Sequence, residues 1–148
     1  MQLAWMGVNW LAVLAAAFVC MVLGFLWYSP MLFARPWMIA SGYDPDDKAK
    51  LAELKKGAGK MYGLAFLASL LQAAMLAKVL AVTGIWDPLY GMKMGVGIWL
   101  GFVMTVQLTG AVFGNHGHQK MKLFAINTGY QLVCYVAMGA LLAAWYAR

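Results

Sequence analysis

The chain has 148 residues and a formal net charge of +6, with 64% hydrophobic and 11% charged residues. Soluble domains hold roughly 45–50% and 25%, so this sequence cannot supply a polar coat. Its 11 Lys and Arg do not interleave with aromatics in a stripe that would track a phosphate backbone, which argues against nucleic acid and leaves the lipid bilayer as the natural partner.

A bilayer core of about 30 Å needs about 20 apolar helical residues. Residues 5–28 form the first such window. No Lys or Arg precedes it and its apolar run is too long for a cleaved signal, so it is expected to remain as a span. Cys20 in this window and Cys134 further on lie in apolar runs without CxxC spacing, and read as small packing residues.

The connection 29–60 opens inside the string WYSPMLFARPW, Trp27 to Trp37. It reads as an elbow on the membrane surface. Trp27 and Tyr28 belong to an aromatic belt, Ser29 caps a new turn, and Pro30 takes its first position. Arg35 reaches toward headgroups, Trp37 lies along the interface, and Pro36 breaks the helical path. A short solvated helix follows, with Asp44 as N-cap, Pro45 at the first position, Asp46 and Asp47 against the dipole, and Gly57 closing it after Lys55 and Lys56.

Three more windows, 61–82, 94–113 and 123–146, reach spanning length. The connections 83–93 and 114–122 are short, so neighbouring helices run antiparallel. The expectation is one all-α membrane domain of four transmembrane helices, up-down-up-down. Arg35, Lys48, Lys50, Lys55, Lys56, Lys60, Lys120 and Lys122 lie on one side; Lys78, Lys93 and Arg148 lie on the other. The excess of basic residues puts the first and third connections in the cytoplasm and both termini outside.

Within the windows there is no Asp or Glu. Lys78 sits near the end of its span and snorkels. The remaining polar residues are Gln72, then Thr105, Gln107 and Thr109, then Asn127, Thr128, Tyr130 and Gln131, a set suited to a hydrogen-bonded layer between helices. Gly97, Gly101, Thr105 and Thr109 step by four down one side of the third span, with Gly91 and Gly95, and Gly110 and Gly114, repeating that spacing at its ends. Such stripes allow close packing within a monomer or in a homo-oligomer.

His116 and His118, two apart in GNHGHQKMK, are the best metal candidates, yet no Cys, Asp or Glu in that turn completes a ligand set. No metal or other cofactor is therefore expected. Without GxSxG or a phosphate loop, and with no His near Ser29 or Ser69, an enzyme is not expected either.

Three strings carry a family likeness: VNWLAV (Val8 to Val13), WYSPMLFARPW, and KLFAINTGYQL (Lys122 to Leu132). Together they resemble a bacterial membrane family catalogued as domain of unknown function 1761, and the similarity runs over essentially the whole chain. The resemblance implies a small four-span protein of the bacterial inner membrane and no defined activity. Members often carry Gly where this chain has Ala34 and His where it has Gln131, so no role of a fourth-span imidazole transfers. A polar layer without acids suggests passive movement or gating of a small solute or ion through a self-associated bundle. The alternative is a non-transporting accessory, scaffold or sensor protein that binds an unknown protein partner through its cytoplasmic connection.

Overall fold

The structure is a computed structural model that describes residues 8–114 and 119–146. Asn9 is extended, and its side-chain oxygen accepts from the N–H groups of Leu11 and Ala12, so helix α1 starts at Trp10 and runs to Trp27; the expected start at Trp5 lies outside the described residues. After a turn come α2 (Ala34–Ala40) and α3 (Lys48–Lys56). The second span, α4, is Ala58–Thr83, and ends on Gly84 in the left-handed region at φ 67°. Asp87 then caps α5 (Pro88–Ile98) by accepting from Tyr90 N–H, with Pro88 in the first turn. A π-helical segment, Trp99–Met104, leads into α6 (Thr105–Phe113), and α7 occupies Lys120–Tyr146.

Among the described residues, four helical stretches are long and apolar enough to cross a membrane: Trp10–Trp27, Ala58–Thr83, Pro88–Phe113 and Lys120–Trp145. The described residues contain no strand. The last three stretches overrun the apolar windows at their starts because Lys60, Lys93 and Lys120 continue the helix into polar surroundings. Hydropathy marks where a helix meets lipid; caps mark where it begins.

Two local expectations change in the connection. Asp44 accepts from Asp46 N–H and holds a turn, while Asp47 caps α3 through Lys50 N–H. Pro36 sits inside the first turn of α2 and does not break it, because the N–H it lacks would have had no intrahelical partner there.

Helix α7 is the centre of the assembly, packed against α1, α4 and α5, whereas α5 scarcely touches α4. Between α1, α4 and α7 the packing is apolar and tight: Ala12, Ala16 and Cys20 meet Ala73, Leu76, Ala77 and Leu80, with Cys134, Met138 and Leu142 on the third side. Both cysteines are buried free thiols. Lipid is as apolar as these side chains, so close fit rather than water exclusion holds such helices together.

The α5–α7 contact is closer still. A Cβ on Gly91 would collide with Gly139 O, one on Gly95 with Tyr135 O, and one on Gly139 with Gly91 O. By contrast, Gly97, Gly101 and Gly110 have nothing within 4 Å of such a Cβ. The stripe Gly97, Gly101, Thr105 and Thr109 thus faces outward, and packing inside the monomer falls to Gly91, Gly95 and Gly139.

The residues that face α7 are Gly91, Gly95, Trp99, Val103, Gln107 and Ala111, in steps of four. At 3.6 residues per turn each step overshoots by about 40°, so a straight α-helix would turn this row about 200° away between its ends. One extra residue taken up in a π-type turn returns about 100°. The segment Trp99–Met104 therefore keeps both halves of the span on the same partner.

Gly95→Ala is expected to destabilise the folded monomer by about 1–3 kcal/mol through overpacking, while Gly97→Ala should stay within about 0.5 kcal/mol. Equilibrium unfolding of both variants in detergent micelles checks the contrast.

Candidate functional site

The polar chemistry converges on Ile126 to Tyr130 of α7, about 10 Å along the helix from its start. Three features of the backbone and side chains draw donors from other elements. Ile126 O accepts from Trp27 Nε1 at 3.1 Å, and Thr128 O accepts from Trp99 Nε1 at 2.9 Å. Each carbonyl has a second lone pair beyond its helical bond. Asn127 Oδ1 accepts twice, from Tyr28 Oη at 2.9 Å and from Trp37 Nε1 at 3.1 Å.

Two hydroxyls complete the set. Thr128 Oγ1 donates to Gln107 Oε1 at 3.1 Å, and Tyr130 Oη donates to Cys20 O at 3.0 Å. Gly129 lets the Trp27 ring lie against α7, since a Cβ there would sit 3.2 Å from it, and Gly24 does the same for the Tyr130 hydroxyl. The rings interlock as well: Tyr28 meets both Trp37 and Tyr130 edge-on, and Trp27 packs on Phe33.

The elbow supplies this clamp through its backbone. Ser29 O accepts from Leu32 N–H and Ala34 N–H, and Trp27 O accepts from Phe33 N–H, which turns the chain back toward α7. Ser29 does not cap with its side chain: its hydroxyl is buried and has no partner among the described residues. Pro30 is exposed beside it. Arg35 forms an exposed ion pair with Asp46 at 3.3 Å, tying α2 to the turn before α3. Exposed pairs of this kind contribute about 0–1 kcal/mol.

Of the polar layer read from the sequence, the structure brings together Gln107, Asn127, Thr128 and Tyr130, and leaves Gln72, Thr105, Thr109 and Gln131 apart. Thr105 and Thr109 are exposed and donate to carbonyls one turn back on their own helix, Gly101 O and Thr105 O. Gln72 and Gln131 are half-buried and do not join the network. Sequence reading missed the donors Trp27, Tyr28, Trp37 and Trp99 as partners of α7, having assigned the first three to the membrane surface. The signal was present in the two strings WYSPMLFARPW and INTGY, which meet at Asn127.

On the other side of Asn127, between α6 and α7, lies an open cleft of about 230 Å³. Its polar lining is Gln107, Lys120 and Asn127; Ala111, Leu123 and Phe124 supply the apolar part. Lys120 Nζ donates to Gly114 O at 2.8 Å, fastening the start of α7 to the end of α6. Gly114 contributes its backbone carbonyl to this fastening. Groups of three or more His, Cys, Asp or Glu able to hold a metal do not occur among the described residues. His116 and His118 lie outside the described residues.

Among known proteins, a family model described as "Protein of unknown function (DUF1761)" matches residues 11–143. No curated protein and no solved structure matches the chain. The matched range contains both strings that meet at Asn127.

Asn127→Ala would leave two donors on Tyr28 and Trp37 without their acceptor, for an expected loss of about 1–3 kcal/mol. Tyr28→Phe should cost less, about 0.6–2 kcal/mol. A double-mutant cycle of the two, read by unfolding in micelles, should show coupling of at least about 0.5 kcal/mol.

Proposed function

This chain belongs to the DUF1761 family, and on that premise we propose that it is a non-transporting accessory or sensor protein of the membrane, whose working end carries α2, α3 and the connection from α6 to α7. The observation that carries this reading is the fate of the amide layer. Asn127, Gln107, Thr128 and Tyr130 are engaged with aromatic and hydroxyl partners close to one end of the bundle. Beyond them the centre is filled by Leu76, Leu80, Met138 and Leu142, all nearly inaccessible. A path for a solute through the monomer would have to cross that dry packing.

In this reading α3 is the docking element. It is exposed on nearly every residue, and presents Lys48, Lys50, Lys55 and Lys56. Lys50 pairs with Glu53 at 2.9 Å, and the neighbouring carboxylate raises the pKa of its ammonium. The basic face suits a partner with an acidic surface, as well as anionic lipid. With the basic connections inside, the protein sits in the bacterial inner membrane with both termini outside.

A second reading, passive movement between copies, draws on the outward stripe of Gly97, Gly101, Thr105 and Thr109. Small residues facing lipid permit close approach of a second chain. It needs no lumen within one chain. No catalytic group enters either reading.

Purified protein in liposomes is expected to show no flux of monovalent ions or small neutral solutes above empty liposomes. A protein-dependent flux abolished by Gly97→Leu with Gly101→Leu would replace the first reading with the second. For orientation, a membrane-impermeant thiol reagent should label Thr83→Cys in intact cells, and Lys55→Cys only after the membrane is opened. The two native cysteines are buried and should remain silent.

A further inference from the structure

The cleft between α6 and α7 has a hydrogen-bonding polarity that follows from the clamp behind it. Asn127 Oδ1 is already occupied by Tyr28 and Trp37, and Gln107 Oε1 by Thr128. What these two side chains have left to offer is their amide nitrogens, each with two N–H donors and no hydrogen bond among the described residues. Lys120 brings an ammonium of which one proton is used on Gly114 O. The polar wall of the cleft therefore presents donors and one positive charge, and its remaining wall, Ala111, Leu123 and Phe124, is apolar.

We propose that this cleft binds the singly charged phosphodiester of an amphiphile, with the phosphate oxygens on Lys120, Gln107 and Asn127 and the adjoining apolar part against Leu123 and Phe124. One cation and two neutral amides match a single negative charge. A phosphate monoester would bring a second negative charge that nothing in the described lining neutralises. A cation would meet only donors. The position supports the same ligand: Lys120 begins α7, where the positive end of the helix dipole adds to its charge. The cleft is open, so the tail of an amphiphile can leave it past Leu123 and Phe124. Asn127 then joins two events, because the amide that meets the phosphate through nitrogen holds the elbow through oxygen.

This inference does not depend on partner binding through α3, and the two fail separately. The test is native mass spectrometry of the full chain released from detergent micelles, titrated with phosphatidylglycerol and, in parallel, with zwitterionic phosphatidylcholine. Expected is one tightly retained phosphatidylglycerol per chain, bound at least about tenfold more tightly than phosphatidylcholine. Lys120→Gln should weaken it by about tenfold, and Gln107→Met should weaken it severalfold. Lys122→Gln, an exposed neighbour outside the cleft, should leave it unchanged. Thermal midpoints of the variants in micelles identify any loss that comes from unfolding, and Gln107→Met supplies an independent reading if Lys120→Gln unfolds. Equal weakening by Lys120→Gln and Lys122→Gln, or none by either cleft variant in folded protein, would overturn the proposal. Displacement of the lipid by millimolar dimethyl phosphate, a singly charged diester without tails, would place the same oxyanion site in the service of a soluble ligand; persistence would assign it to the lipid.

Discussion

A polar group inside hydrocarbon must find its partner within the protein, and in this chain the obligation is met chiefly around one amide. Asn127 Oδ1 takes two donors from the elbow, and the carbonyls on either side of it, Ile126 O and Thr128 O, take an indole each. The aromatic residues have two tasks there. Their rings fill space between helices, and their polar edges satisfy α7, as Trp and Tyr generally require when buried. The elbow consequently has a fixed place over α7, although only a few backbone bonds hold its own turn.

The remainder of the assembly answers a different demand, namely closeness. Apolar burial offers little drive between helices in lipid, and here the contacts are built from Ala12, Ala16, Gly91, Gly95 and Gly139. The π-type turn from Trp99 to Met104 belongs to the same economy of shape. It allows Gly91 and Gly95 in one half of a span, and Gln107 and Ala111 in the other, to meet a single partner, α7. Trp99 stands at its start and is itself bonded to Thr128 O, so the irregular turn is anchored at the point where it departs from α-helical geometry.

Four spans and an all-helical fold were legible because about 20 apolar residues admit few other solutions in a bilayer. The helix ends were less so. Asn9, Asp47 and Asp87 set them through local hydrogen bonds that an apolar window cannot see, and three aspartates within 44–47 offered more caps than one helix can use. The site was half legible. Asn127, Gln107 and Tyr130 stood out as polar residues at membrane depth, whereas Trp27, Tyr28 and Trp37 matched an interfacial belt so well that their role as donors to α7 was hidden. A residue's polar edge has a direction, and composition carries none. Thr105 and Thr109 show the converse. Their hydroxyls had partners available on their own helix, and so did not need a neighbour.

The central place of α7 also has a consequence in time. It follows the other spans in the chain, so during synthesis α1, α4 and α5 enter the membrane before the helix against which α5 chiefly packs and which α1 meets as fully as it meets α4. Until it arrives, the indoles of Trp27 and Trp99 and the phenol of Tyr28 lack the acceptors they have in the finished protein. The headgroup region and its water can serve those groups in the interval, which gives interfacial aromatics a provisional address. Helices α1 and α4 can pair early, but the clamp and the seat of α5 are a late commitment, made when the keystone helix emerges.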